Sequence, residues 1–331
     1  MADTAKQSNG IRACLRLMLS CAILCLLAVH PGPVQAFELL LGSGESGSFS
    51  HFAGRQLCRS INTLPEGELR CRTIPDASPV HNLTNLSGGA LDLILIDSRL
   101  LSDALQETGS FQFLDIDYGN LQALLPVYDT PVMLLVSGDA DIHTLPDLKG
   151  GKVNFGPPGS LQHEVFEAIL AAKSWKPADF SLVEELSNSG SQAAMAFCHG
   201  GIQAMLHVGI HPDPGLKRLR RECRARPLNL DDPEIQDMVR KRPSYFRIVL
   251  PPERSSFPEH EVRTFGFKTL LVCSSDLDRD TVRRLLSGIE QQQADLREAH
   301  PALADFQMQG LDVQQWTIPF HEEAQRFFSE H

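Results

Sequence analysis

Seven residues near the start of the chain, Gly42-Ser43-Gly44-Glu45-Ser46-Gly47-Ser48, combine backbone freedom with three hydroxyls. Glycine lets peptide N–H groups approach a ligand closely, and serine hydroxyls both donate and accept, so such a loop is able to cradle a small polar or anionic molecule. The glycines at 42, 44 and 47 satisfy the G-x-G-x-x-G spacing of dinucleotide-binding turns. No acidic residue follows a second strand in the place where it would hold a ribose, so a nucleotide cofactor is not expected. Two readings remain: a small-ligand cradle with donors from Ser43, Ser46 and Ser48, and an ordinary tight turn.

Other chemistries find less support. A hydrolase of the elbow type needs G-x-S-x-G, and the chain has none. His199, His207 and His211 lie close together without the H-E-x-x-H spacing or a carboxylate cluster, so no metal is expected. Asn82-Leu83-Thr84 and Asn85-Leu86-Ser87 match glycosylation sequons, which matter only in a eukaryotic secretory route. Neither an enzyme nor a cofactor is indicated.

The elements that must position these residues alternate between apolar runs and helix-period segments, the pattern of an α/β protein with mostly parallel sheets. Strands are expected at Leu39–Leu41, Leu91–Ile96, Leu121–Val127, Val132–Val136, Val153–Phe155 and Ile202–Val208, with Thr264–Val272 long enough to cross between two lobes. The Asp129-Thr130-Pro131 tripeptide reads as a turn separating the third and fourth of these. Helices are expected at His51–Asn62, Pro79–Leu86, Gln162–Ala172, Ala193–Phe197, Asp280–His300 and Phe320–His331. In open α/β sheets ligands bind beyond the carboxyl ends of strands, where helix N-termini favour anions. The loops after Leu41, after Ile96 and after Phe155 offer that arrangement.

The first 36 residues read as an export signal. Lys6, Arg12 and Arg16 precede the apolar run Leu17–Val29, and Val34-Gln35-Ala36 ends in the small residue a signal peptidase prefers. The run is interrupted by Ser20 and Cys21 and is shorter than the roughly 20 residues of a spanning helix. Cleavage before Phe37 is expected, and a retained anchor is the alternative. Loss of Lys6, Arg12, Arg16 and Asp3 turns 30 basic and 41 acidic side chains into 27 and 40, a mature charge of −13. Such a charge argues against nucleic acid and against an anionic membrane surface as partners. The remaining length is near the size at which one core divides into two.

Five cysteines lie beyond the signal, and their spacing fits no zinc site. In an oxidising compartment Cys58 with Cys71, and Cys198 with Cys223, would each close a short loop and leave Cys273 as a thiol. The alternative is five buried free thiols.

Several segments together resemble the TAXI class of solute receptors that serve TRAP (tripartite ATP-independent periplasmic) transporters. Gly42 to Gly47 resembles the family's opening glycine loop, and Cys58 with Arg70-Cys71 a cysteine pair of one branch. Ser78-Pro79-Val80-His81-Asn82-Leu83 and Gly89-Ala90-Leu91-Asp92-Leu93 resemble its first-lobe motifs. Asp147-Leu148-Lys149-Gly150, Gly156-Pro157-Pro158-Gly159-Ser160, Val208-Gly209-Ile210-His211-Pro212 and Ile318-Pro319-Phe320-His321 follow in order. Departures fall where a ligand would sit. Ser50 and His51 stand where the family carries aromatics, Asp97-Ser98-Arg99 replaces Q-S-D, Leu161-Gln162 replaces Gly-Thr, and Gln203 replaces a frequent Asp.

The resemblance implies a two-lobed, type II-like periplasmic binding protein, with lobe one at 37–128 and 273–331 and lobe two at 129–272. It implies no catalysis, but capture of a small organic carboxylate, glutamate-like or a 2-oxo acid, for delivery to TRAP membrane subunits. Ser43, Gly44, Ser46 and Ser48 would donate from lobe one. Asn82, Asp97, Ser98 and Arg99 would shape the floor, Gly159 and Ser160 would hold the anion from lobe two, and His51 would replace the aromatic lid. The alternative role is a ligand sensor, tethered by an uncleaved leader, that signals to a membrane partner without transport.

Overall fold

The computed structural model describes residues 37–65, 69–187, 191–259, 261–313 and 316–330. The signal expected at 1–36 lies outside them.

In chain order the first half contains β1 (Phe37–Ser43), α1 (Phe49–Ile61), β2 (Leu69–Pro75), α2 (Pro79–Ser87), β3 (Leu93–Asp97) and α3 (Ser98–Leu105). β4 (Leu121–Val136) leads into β5 (Lys152–Asn154), α4 (Leu161–Lys173), β6 (Leu182–Glu184), α5 (Ser191–Cys198) and β7 (Ala204–Val208). Then come α6 (Pro214–Cys223), β8 (Arg226–Leu228), α7 (Pro233–Lys241), β9 (Phe246–Leu250) and β10 (Val262–Ser274). The chain returns to the first half with α8 (Arg279–Gln291), α9 (Gln293–Ala299) and α10 (Glu322–Glu330). Six helices begin where a Ser or Asp side chain accepts an otherwise unpaired N–H of the first turn: Ser48, Ser78, Asp97, Ser160, Asp213 and Asp278.

The strands run in the order β2-β1-β3-β10-β4-β7-β5-β6, with β8 on β4 and β9 on β10. The sheet is mixed, a correction to the mostly parallel expectation. β1 pairs in parallel with β2 and β3, and β5 with β6 and β7, whereas β10 is antiparallel to β3, β4 and β9 and β4 to β7 and β8. The antiparallel pairs arise because β4 carries the chain out of the first half and β10 brings it back.

β4 is one strand of 16 residues, so the turn expected at Asp129-Thr130-Pro131 does not form. Pro131 lies opposite Gly266, where a Cβ would stand 2.3 Å from the Thr130 carbonyl oxygen and 2.9 Å from Pro131 Cα. The absent side chain lets the two crossing strands stay together at a proline, a residue that lacks a ladder N–H. The helix expected over Asp280–His300 is also divided, because Gln292 leaves helical geometry (φ −108°, ψ 14°) between α8 and α9. β2 was not expected. Its arginines at 70 and 72 alternate with Leu69 and Cys71, and the strand pairs with β1 at the sheet edge.

Each half has its own core on both faces of the sheet. In the first, Leu57, Ile61, Leu285 and Phe327 cover one face and Leu83 and Leu101 the other. In the second, Val165, Phe166 and Ile235 cover one face and Phe197, Leu216 and Leu219 the other. β10 belongs to all four clusters. Phe265, Phe267, Leu271 and Cys273 point to the side of α1 and α4, and Val262, Leu270 and Val272 to the opposite side. Cys58–Cys71 fastens α1 to β2, Cys198–Cys223 fastens α5 to α6, and Cys273 is a buried thiol, as expected.

Candidate functional site

The glycine-serine loop leaves β1 and turns at once into α1. Ser43 is buried, its Oγ 2.9 Å from His51 Nδ1, and its carbonyl oxygen accepts from Asn82 Nδ2 at 2.9 Å. Gly42 makes this possible: a Cβ there would meet Leu91 Cδ1 at 2.6 Å and Asn82 Oδ1 at 2.9 Å. Asn82 is buried and holds the loop from α2. The Gly44 N–H donates to Ser50 Oγ at 3.2 Å. Ser48 caps α1, accepting from His51 N at 3.1 Å, while Ser46 is exposed at the tip. In the second half Gly159 is exposed with φ +75°, and Ser160 caps α4, accepting from His163 N at 3.3 Å.

The end of β3 reaches from one half to the other. Asp97 caps α3 through Leu100 N at 2.9 Å; burial pushes its carboxyl above the usual carboxylate range, opposed by the nearby Arg99 charge. Ser98 Oγ donates to the Ser244 carbonyl at 2.8 Å and accepts from Lys268 N at 3.3 Å. Its hydroxyl therefore ties α3 to the loop before β9. Arg99 lies over the Phe267 ring, 6.0 Å from its centroid, with its side chain only 17% exposed. Arg99 Nη1 serves two carboxylates, Asp103 at 3.3 Å and Glu164 at 3.1 Å. Its Nε is buried without a hydrogen-bond partner.

Two residues of this region were not anticipated. Glu164, in the first turn of α4, brings a carboxylate from the second half to Arg99. Tyr128, on β4, has its hydroxyl near Thr269 and Ser50, and burial holds its phenol above the ordinary value. Tyr128 also packs edge-on against Phe49, with ring centroids 4.8 Å apart. The signal in the sequence was that one of only three tyrosines sits in an otherwise aliphatic strand.

A groove of about 170 Å³ opens beside Tyr128, Lys268, Ile248, Leu250, Trp316 and His211. Its charges are neutralised within the protein: Lys268 meets Asp129 at 2.6 Å, and Arg254 pairs with Asp305. His211 Nδ1 lies 3.3 Å from Ser256 Oγ, and burial pulls its imidazole down to about 4, aided by His207, whose ring is 6.0 Å away. No cluster of three or more His, Cys, Asp or Glu suited to a metal occurs among the described residues.

The model of the NMT1-like family matches residues 41–331, nearly everything after the expected signal. The chain belongs to the NMT1-like family. No curated protein matches it. Among solved structures, this NMT1-like chain is similar to a TctC solute-binding protein from Polaromonas, at 15% identity and a TM-score of 0.56 over 82% of this chain and 88% of that one. It also matches the aliphatic sulphonate-binding protein SsuA from Escherichia coli (17% identity, 79% and 71% covered, TM-score 0.46). A probable amino-acid transporter binding protein, YtmK from Bacillus subtilis, matches at 9% identity (79% and 94% covered, TM-score 0.48). The first of these similarities establishes the fold: a mixed α/β architecture of the two-lobed periplasmic solute-binding type. No helix among the described residues is long and apolar enough to cross a membrane.

Proposed function

We propose that this NMT1-like chain is an extracytoplasmic solute receptor of the TAXI class, delivering a small carboxylate-bearing molecule to TRAP membrane subunits. The observation that carries the reading is the Arg99 Nε, buried without an acceptor where strand-end loops of the two halves meet. An unpaired buried donor on a charged group is costly, and a ligand carboxylate would relieve that cost. The lobes are 37–128 with 273–331, and 129–272, moving about the crossing strands. Closure over the ligand is a population shift set by contacts that exist only in the closed state, and the closed state is what the membrane subunits would recognise. Ser43, Gly44 and His51 frame the first-lobe wall, and Gly159 and Ser160 the second. The motif series of the sequence supports TAXI membership, and the signal-like leader supports a periplasmic location.

The experiment is a thermal-shift screen of amino acids, dicarboxylates and 2-oxo acids. Binding to the native state alone stabilises it by roughly 2.7 kcal/mol at a hundred times Kd, a rise of several degrees. Protein proven ligand-free by native mass spectrometry that no compound stabilises would refute the carboxylate reading.

A further inference from the structure

The most basic stretch of this acidic chain is neither in the cleft nor explained by the fold. Six of the ten residues at 217–226 are Lys or Arg, in a protein of net charge −11. They lie on and just after α6. Leu216, Leu219 and Cys223 turn inward to pack with Met133, Leu135 and Phe257, and Lys217, Arg218, Arg221 and Arg224 are exposed on the outer side. Lys217 and Arg221 are one turn apart, so they stand above one another on the same stripe.

Internal pairing accounts for only part of this charge. Arg220 pairs with Glu259 and Arg224 with Asp139, whereas Lys217, Arg218 and Arg221 make no ion pair among the described residues. The helix dipole favours cations in the last turn, which suits Arg220 and Arg221 but not Lys217 in the first. The stripe is also held rigidly, since the disulfide Cys198–Cys223 bolts the end of α6 to α5.

We propose that the outer face of α6 docks on an anionic bilayer surface. The face is charged, and its apolar side chains are turned into the core, so it lacks the buried apolar anchors that concentrate energy in protein–protein interfaces. A diffuse plane of phosphate headgroups asks only for exposed cations. The net negative charge does not forbid contact: at physiological salt charges beyond about 8 Å are screened, so the local stripe governs at the surface. Each Lys or Arg near such a surface contributes roughly fivefold to partitioning. The binding is therefore weak, salt-sensitive and orienting.

The test is co-sedimentation of the full chain with vesicles of phosphatidylethanolamine and phosphatidylglycerol, against vesicles of phosphatidylcholine. The double variant Arg218→Glu/Arg221→Glu is compared with Arg55→Glu/Arg59→Glu, which makes the same charge change at exposed positions of α1 in the other half. Matching melting curves show that both variants fold. The expected result is salt-sensitive binding to the anionic vesicles that drops by roughly tenfold or more in the α6 variant only. Wild-type protein that does not distinguish the two kinds of vesicle overturns the proposal. So does equal binding by the two variants, which would locate attachment in the leader, in net charge or in another surface, and an acidic protein would then be the partner to seek for α6.

Discussion

Arg99, in the first turn of α3, stands 3.1 Å from Glu164 at the start of α4, so a charge pair joins the two halves of the molecule beside the crossing strands. The glutamate is 47% exposed and the arginine 17%. Water screens the pair from one side only, and the partners are unequal. Arg99→Ala is expected to weaken binding of the ligand found by the screen by roughly 2 to 5 kcal/mol, because it removes the buried member of a charge pair. Glu164→Gln should change stability by less than about 1 kcal/mol, as a half-exposed pair does. Calorimetric titration and urea unfolding of the two variants check this. An affinity unchanged in Arg99→Ala would remove Arg99 from the site.

Tyr128→Phe keeps the ring against Phe49 and deletes a buried hydroxyl near Thr269 and Ser50. A loss of about 1 kcal/mol in urea unfolding is expected. A variant as stable as wild type would mean that the hydroxyl carries no net stability.

The five cysteines after the leader should behave as two bonds and one hidden thiol. Alkylation of the native, non-reduced protein should leave Cys273 unlabelled, since burial pushes its thiol up and closes access. Unfolding without reductant should then expose one thiol among the five, read by mass spectrometry. Removing Cys58–Cys71 by paired alanines should cost about 2 to 4 kcal/mol. Five alkylated thiols in the unreduced, unfolded protein would contradict both pairings.

His211 makes stability depend on pH. Its imidazole is held at about 4 in the folded state against 6.5 when free, so between these values the unfolded chain binds more protons. Stability from this group is full above pH 6.5 and is lost as pH falls towards 4, by up to about 3 kcal/mol. Urea unfolding across that window should show a slope that flattens in His211→Gln. A variant with the wild-type slope would shift the effect to other groups.

Much of the fold was legible in the sequence because its causes are local. The apolar runs of β1, β3 and β7 announce burial without reference to the rest of the chain. Capping and ligand binding use one chemistry, a hydroxyl or carboxylate beside free N–H groups. Ser48 and Ser160 read in the sequence as ligand contacts, and their caps follow from where the helices start.

What only the tertiary structure decided lies across the chain. The Ser98 hydroxyl binds the Ser244 carbonyl 146 residues away, a partner no local pattern announces. The Asp129-Thr130-Pro131 turn gave way to a continuous β4 because Gly266 lies opposite it. Arg99 was visible as a cation at a strand end, but its carboxylate partner comes from another helix and its unpaired Nε from the packing around it. Local pattern sets which groups are present and which way an element begins. Partners separated by a crossover are set by strand order and register, and those follow from how two cores pack around β4 and β10, a relation that no short window of residues contains.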